Sequence, residues 1–318
     1  MRILHVTGNI DWWPYHFEQL CQRLGHTGET FHLYGEAGMR HLELTTAAAN
    51  DVWNRNKDYF NSFDAVFVSH LANGAQIFLQ NNWPKPLYIW FYFRFDHCAP
   101  EPARYYALLR EAANKPNVKM FAATEQDRIY VQTRLGQIPL DIVPPLSVVD
   151  SSIKAAIPCG TDKFFLGGKH NDTMQKGNLE ALGIPLYYHP WGAQPDCRGV
   201  RGILHFPYVN MTKTMSENLA IENVYFLPDD ALFNHFRRTV PTDFWDGHVE
   251  ITELDFRRTA WYNDVGRKLF VYYSSFEELK RLSDSPDFVS LLAEKKAAIR
   301  EHNQTCGTLE KWERIFSL

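Results

Sequence analysis

The sequence of 318 residues has few cysteines, and their arrangement indicates neither a bridge nor a metal site. The five are isolated from one another, without a Cys-x-x-Cys pair, at Cys21, Cys98, Cys159, Cys197 and Cys306. An odd number of scattered thiols does not suit a disulfide framework, and no zinc or calcium spacing of His, Cys, Asp and Glu is present. We therefore expect a reducing compartment, the cytoplasm, and no metal site.

Long apolar runs and an excess of positive charge are also missing. No apolar run approaches the roughly 20 residues that span a bilayer, and no charged leader with an apolar core precedes Trp12, Trp13 and Pro14. Lys and Arg number 33 against 37 Asp and Glu, which gives a net charge of −4. A nucleic-acid partner requires a basic surface. We expect neither a membrane span nor nucleic-acid binding.

Several cofactor and nucleophile motifs are absent. After the first predicted strand the chain reads Gly8-Asn9-Ile10 instead of Gly-x-Gly-x-x-Gly, which disfavours a nicotinamide or flavin enzyme. There is no Gly-x-Ser-x-Gly elbow, no Gly-Lys-Ser/Thr phosphate loop and no convincing Asp-x-Asp after a strand that would hold a metal diphosphate. We expect no cofactor.

Strands alternate with helices in the first half of the chain. Apolar runs predict strands at residues 2–7, 30–34, 64–69, 86–93, 118–123 and 141–144, and helical periodicity covers residues 14–24, 48–60, 72–80, 101–114 and 125–135. This alternation is typical of a parallel sheet with helices on both faces. Prolines and polar residues interrupt it between residues 144 and 160, which indicates a linker. We place the first domain at residues 1–147.

The second half, residues 148–318, predicts a further α/β domain. Strands are predicted at residues 163–166, 185–188, 202–206, 224–228 and 269–273, and helices at 173–182, from 212–214 onward, and at 231–237, 275–282, 287–303 and 309–316. The fold class is therefore α/β, with two doubly wound domains.

Candidate catalytic residues follow the predicted strands of the first domain, because ligands bind beyond the carboxyl ends of parallel strands. His70 follows a buried strand and carries an imidazole suited to act as a general base near neutral pH. Asp11 and Asp96 are the carboxylate alternatives, although Asp96 is also placed to pair with Arg94. Asn9 and Arg94 also follow strands of this domain and are candidates for substrate binding.

A helix start in the second domain has the properties of an anion site. Thr212, Thr214 and Ser216 are available as caps, so the free N–H groups of the first turn point beyond the preceding strand. Lys213 is unusual at a helix start, where the dipole disfavours a cation, and a bound anion is one reason for it. Glu217 follows about one turn later, in reach of a sugar hydroxyl.

Two segments carry a resemblance to a known family. The run Lys213-Thr214-Met215-Ser216-Glu217-Asn218-Leu219-Ala220, followed by Val224-Tyr225-Phe226-Leu227-Pro228, resembles the donor-binding segment of GT-B glycosyltransferases. Phe165-Leu166-Gly167-Gly168 through Lys176-Gly177 is similar to the first strand, loop and Lys-Gly of their donor domains.

The resemblance implies two Rossmann-like domains that face each other across a cleft, with the last helix crossing back to the first domain. The second domain would bind the donor, with Glu217 on the ribose. The other donor-binding candidates are Gly167, Gly168, Lys169, Lys176, Tyr208, Lys213, Thr214, Met215 and Ser216. The retaining branch often has a Glu eight positions before the ribose Glu; Val209 occupies that position, which favours inversion.

We therefore expect a metal-independent glycosyltransferase that moves a hexosyl or pentosyl group from a nucleotide-diphosphate sugar to an acceptor hydroxyl, on a glycan. Two alternatives stay open. A nucleotide-sugar 2-epimerase shares the fold and donor site but needs no acceptor. The second alternative is a protein that binds a sugar or nucleotide without catalysis. The ionisable groups at the strand ends argue against this alternative.

Overall fold

Six strands form the sheet of the first unit in the computed structural model: β1 (Arg2–Thr7), β2 (Thr27–His32), β3 (Ala65–Val68), β4 (Leu87–Phe91), β5 (Val118–Ala122) and β6 (Asp141–Ile142). All pair in parallel, in the order β2-β1-β3-β4-β5-β6. The chain turns from one side of β1 to the other after β2, so the strand order reverses between β1 and β3. The structure describes residues 1–8, 12–33, 43–92, 95–96, 98–147, 162–168, 170–190, 199–207, 211–239 and 256–317.

Within the ranges just given, five α-helices connect these strands: α1 (Trp12–Arg23), α2 (Thr46–Asn61), α3 (Gln76–Leu79), α4 (Pro102–Ala112) and α5 (Glu125–Leu135). At α5 the start is fixed by local side chains. Thr124 accepts the N–H of Asp127 at 3.1 Å, and the Asp127 carboxylate accepts the N–H of Thr124 at 3.1 Å, which forms a capping box at α5. The helix predicted over residues 72–80 is a 3₁₀ turn (Ala72–Ala75) followed by α3.

In the second unit, Ser147–Cys306, the parts of the chain that the structure describes contain five strands: β7 (Phe164–Gly168), β8 (Leu186–Pro190), β9 (Gly202–Leu204), β10 (Tyr225–Pro228) and β11 (Val271–Tyr273). They are also all parallel, in the order β11-β10-β9-β7-β8. The strand order reverses between β7 and β9. The described residues of this unit form six α-helices: α6 (His170–Ala181), α7 (Lys213–Ala220), α8 (Asp230–Thr239), α9 (Asp264–Leu269), α10 (Phe276–Asp284) and α11 (Phe288–Thr305).

Two predictions for the second sheet were wrong in detail. The strand predicted to end at Leu166 continues through Gly167 and Gly168, because their register extends the ladder to His189 and Pro190 of β8. Leu269, predicted to begin a strand, ends helix α9, whose start is capped by Asn263 accepting the N–H of Gly266 at 2.8 Å.

The last helix, α12 (Thr308–Phe316), belongs to the first unit, which comprises Met1–Leu146 and Gly307–Leu318. Trp312 is fully buried; its ring centroid lies 4.9 Å from that of Trp90 and 5.4 Å from that of Phe121. Its indole N–H donates to the carbonyl of Pro144 at 3.0 Å. The aromatic core of the first sheet is therefore completed by residues from the far end of the sequence.

None of the helices in the described parts of the chain combines the length and apolar character needed to cross a bilayer.

Candidate functional site

His70 lies just beyond β3, at the point where the first sheet reverses its strand order, in a backbone conformation that side chains rarely adopt. Its φ is 63°, and the N–H of Leu71 donates to the carbonyl of Ser69 at 2.7 Å. A bond between residues i and i+2 around a positive φ is the strained form of the γ-turn. Strain of this kind costs about 1–3 kcal/mol per residue and clusters at functional sites. The structure thus marks His70 among the candidates at the strand ends.

Gly8, at the end of β1, makes room for this turn. A Cβ atom at Gly8 would lie 2.6 Å from Leu71 Cδ1 and 3.2 Å from His70 Nδ1. Carbon atoms in contact normally stay about 3.5–4.0 Å apart. Glycine is therefore required here by close approach, and Gly8 and His70 are neighbours at the switch point.

His5, a buried histidine on β1, lies behind the turn. Its Nε2 is 2.7 Å from Ser69 Oγ and its Nδ1 is 3.3 Å from Thr30 Oγ1. Burial holds the pKa of His5 well below its usual value of 6.5, and the nearby histidines, His70 among them, lower it further when charged. His5 is therefore neutral, and its two ring nitrogens serve as one donor and one acceptor for the two hydroxyls.

Asp96 has partners within the first unit. Its carboxylate accepts hydrogen bonds from the hydroxyls of Tyr106 and Tyr130, the latter at 2.9 Å, and Arg134 Nε lies 3.6 Å away. The Arg134 guanidinium also stacks over the Tyr130 ring at 3.6 Å. A carboxylate that accepts two phenol hydroxyls and faces a guanidinium fixes its loop. This geometry favours a structural role for Asp96.

Five predicted site residues, Asn9, Asp11, Arg94, Lys169 and Tyr208, lie outside the described residues. The expected pairing between Asp96 and Arg94 involves one of these residues.

At the switch point of the second sheet, β7 passes into α6 with a single residue between Gly168 and His170. Lys176 lies in the second turn of α6, where its Nζ is 3.6 Å from Glu180 Oε1 and 4.7 Å from the centre of the Tyr188 ring. These contacts give the ammonium group partners within its own unit, so they explain Lys176 without a bound diphosphate.

Helix α7 begins at Lys213, as predicted, with Thr212 as its N-cap. The Thr212 hydroxyl accepts the N–H of Met215 at 3.2 Å, so the cap fixes the orientation of the first turn. The N–H groups of Lys213 and Thr214, which precede it, belong to the set that a helix leaves without intrahelical acceptors. The side chain of Lys213 lies outside what the structure describes.

Three polar side chains of α7 are buried, those of Ser216, Glu217 and Asn218. Ser216 is 1% exposed and Glu217 is 4% exposed. Ser216 Oγ has no hydrogen-bond partner within the described ranges. Burying a hydroxyl without a partner costs about 1–3 kcal/mol, so a polar ligand group at this position would remove a real penalty.

His205 was not predicted from the sequence. It follows β9 directly, is 8% exposed, and its ring centroid lies 4.7 Å from that of Trp261. The strand predicted at residues 202–206 contains His205, whereas β9 ends at Leu204 and places His205 directly beyond it. A histidine next to the switch point of the second sheet belongs with the candidate residues of that unit.

Among the described residues, no group of three or more His, Cys, Asp or Glu side chains is arranged to hold a metal ion.

The fold resembles that of a solved structure over essentially its whole length. That structure is a crystal structure of the glycotransferase of kitacinnamycin; the TM-score is 0.52 at 10% identity, over 99% of this chain and 98% of that chain. The two all-parallel sheets of this chain, with their covering helices, are in line with two Rossmann-like domains. The chain has a GT-B glycosyltransferase fold.

The GT-B fold was the one implied by the sequence resemblance, and that prediction is confirmed. A crystal structure of TarM also matches, with a TM-score of 0.46 at 12% identity over 80% of this chain and 55% of that chain. The fold assignment rests on the kitacinnamycin glycotransferase. No protein-family model matches the sequence, and no curated protein matches it.

Proposed function

We propose that this chain is a metal-independent glycosyltransferase that moves a sugar from a nucleotide-diphosphate sugar to an acceptor hydroxyl on a glycan. The observation that carries the proposal is helix α7, in a chain with a GT-B fold: a capped helix start followed by buried Ser216 and Glu217. The full-length likeness to a structure described as a glycotransferase supports the same reaction class.

The second unit is proposed to bind the donor. The N–H groups of Lys213 and Thr214 and the positive end of the α7 dipole would bind the diphosphate. Glu217, at the fifth position of the helix, would accept hydrogen bonds from the ribose hydroxyls. The buried hydroxyl of Ser216 would gain a partner from the ligand. Met215, whose N–H is bonded to the cap, would shape the site by packing.

The remaining donor candidates have different support. Gly167 and Gly168 end β7 at the switch point, where the absence of a side chain permits close approach of a phosphate. Lys169 and Tyr208 stay proposals on sequence grounds alone. Lys176 has contacts to Glu180 and Tyr188 that explain it structurally, so we give it the weakest claim.

The first unit is proposed to bind the acceptor, with Asn9 and Arg94 as candidates, and to supply the base. The His70 imidazole would take the proton of the acceptor hydroxyl. At the same time the hydroxyl oxygen bonds to the anomeric carbon, and the bond from that carbon to the diphosphate breaks. The strained turn at His70 supports this assignment. Asp11 is the alternative base. Asp96, with its two tyrosine partners and Arg134, is the least suited to the role.

The reaction is tested by incubating the purified chain with a panel of nucleotide sugars, with and without hydroxyl acceptors, after thermal-shift screening against nucleoside diphosphates. Transfer to an acceptor is expected, and it should survive EDTA because helix N–H groups and lysine neutralise the leaving diphosphate. Conversion of the sugar without an acceptor would indicate a 2-epimerase. Tight nucleotide binding with no conversion under any condition would indicate a binding protein.

The base is tested with His70→Asn, which removes the imidazole but tolerates a positive φ better than most residues. Turnover should fall about 10²–10⁴-fold, the usual contribution of a general base, with donor affinity nearly unchanged. Asp11→Asn is the matched comparison. If Asp11→Asn shows the loss and His70→Asn does not, Asp11 is the base.

A further inference from the structure

The backbone around His70 is held by its neighbours on both sides. The N–H of Ser69 donates to the carbonyl of Val6 at 3.2 Å, which extends the pairing of β1 with β3 by one residue. The carbonyl of Ser69 then accepts the N–H of Leu71, which closes the γ-turn. Leu71 is 2% exposed and packs against Gly8. The orientation of His70 therefore depends on the position of Ser69.

His5 is the side chain that fixes Ser69. Both residues are fully buried, and the 2.7 Å contact between His5 Nε2 and Ser69 Oγ joins the middle of β1 to the start of the turn. The His5 ring cannot move easily, because it packs against both Phe17 and Phe67, whose ring centroids lie 4.7 and 5.3 Å away. Its second nitrogen is held by Thr30 on β2.

We infer that His5 is a positioning residue that orients the base His70 through its hydrogen bond to Ser69. This inference rests on the proposed function, since it requires His70 to be the base. A buried polar ring in the centre of an apolar strand is costly unless it is hydrogen-bonded, and a Val or Ile would fill this position without that cost. Orienting the turn is a role that an aliphatic side chain could not perform.

Three substitutions separate positioning from packing. Ser69→Ala removes the bond to His5 with the loss of one oxygen atom. His5→Gln keeps an amide group that can reach Ser69. Thr30→Val is the matched control, because it removes the other hydrogen bond of His5 and leaves Ser69 untouched.

Two readouts are needed on the full chain. The first is the nitrogen signals of the His70 ring in protein with ¹⁵N-labelled histidine, identified by their loss in His70→Asn. The second is turnover together with donor affinity. Ser69→Ala should shift the His70 signals and lower kcat about 10- to 100-fold, with the donor Kd unchanged, because a displacement of about 1 Å can cost about 10²-fold in rate. Thr30→Val should do neither, and His5→Gln should stay close to the unchanged protein.

The outcomes distinguish the two proposals. If His70→Asn abolishes turnover but Ser69→Ala neither moves the His70 signals nor lowers kcat, the base assignment stands and the role of His5 is overturned. If His70→Asn retains turnover, the base assignment fails and the positioning role fails with it. If Thr30→Val matches Ser69→Ala in both readouts, the effect is not specific to the bond between His5 and Ser69 and the inference is wrong.

Discussion

Gly8→Ala tests the packing behind the His70 turn with the smallest possible change. The added Cβ atom would lie 2.6 Å from Leu71 Cδ1 and 3.1 Å from Leu71 Cγ. Leu71 must therefore move by roughly 1 Å to restore ordinary contact. Because Leu71 is buried, that movement disturbs a packed core, and overpacking of this kind costs about 1–3 kcal/mol.

The same substitution should affect activity. The new methyl group would also lie 3.2 Å from His70 Nδ1, and Leu71 is the residue that closes the turn around His70. We expect turnover to fall by about 10²-fold, as for other displacements of about 1 Å near reacting groups. Nucleotide affinity should not change, because the proposed donor residues belong to the other unit.

Stability is measured by urea unfolding monitored by circular dichroism, and activity is measured as the turnover rate. Gly177→Ala is the matched control: it lies within α6, and no described heavy atom comes within 4 Å of its added Cβ. A helical Gly→Ala change of this kind should stabilise by about 0.5–1 kcal/mol. The reasoning is refuted if Gly8→Ala is as stable and as active as the unchanged chain.

Three further predictions concern other parts of the molecule. Glu217→Ala should weaken nucleotide binding by about 1.5–3 kcal/mol while the fold stays intact; unchanged affinity by calorimetry would remove Glu217 from the donor site. The pKa of His5 is lower in the folded protein than its usual 6.5, so its contribution to stability is complete above that pH and is lost as the pH falls below it. Unfolding measured from pH 7.5 to pH 5 should show a slope of up to about 1.4 kcal/mol per pH unit from this group, which His5→Gln removes; equal slopes would contradict the assignment. Trp312→Ala should cost about 3–5 kcal/mol and lower the Tm of the first unit by roughly 6–20 °C in calorimetry, whereas a loss below about 1 kcal/mol would show that α12 is not part of that core.

The sequence predicted the strands that are buried on both faces. β3 and β4 consist of uninterrupted apolar runs with every residue buried, and a run of that kind has few interpretations. β2 was predicted three residues late, because its first three residues, from Thr27, are polar and exposed. An edge strand such as β2 has fewer buried apolar residues, so apolar runs do not mark its start, which is set by pairing with the neighbouring strand.

Contacts between distant residues could not be read from the sequence. The bond between His5 and Ser69 joins positions 64 residues apart, and Asp96 takes its partner Tyr130 from 34 residues away. Local patterns identified His70 as a strand-end histidine, but the strained turn that distinguishes it depends on Gly8 and Leu71. The strand predicted to end at Leu166 shows a different error. Glycine is uncommon in strands, so the local pattern ends before Gly167 and Gly168, but pairing with β8 includes both residues in the strand.

The return of α12 to the first unit has a consequence for synthesis on the ribosome. The first unit is discontinuous, since Leu146 and Gly307 are separated in sequence by the whole second unit. At about 5–20 residues per second, roughly 10–30 s pass between the synthesis of Leu146 and that of Trp312. During that interval the aromatic face of the first sheet lacks its covering helix, while the second unit has a continuous sequence and can complete its own core. We therefore expect vectorial folding in an inverted order, with the later unit finished first and the nascent first unit depending on chaperones until Trp312 emerges.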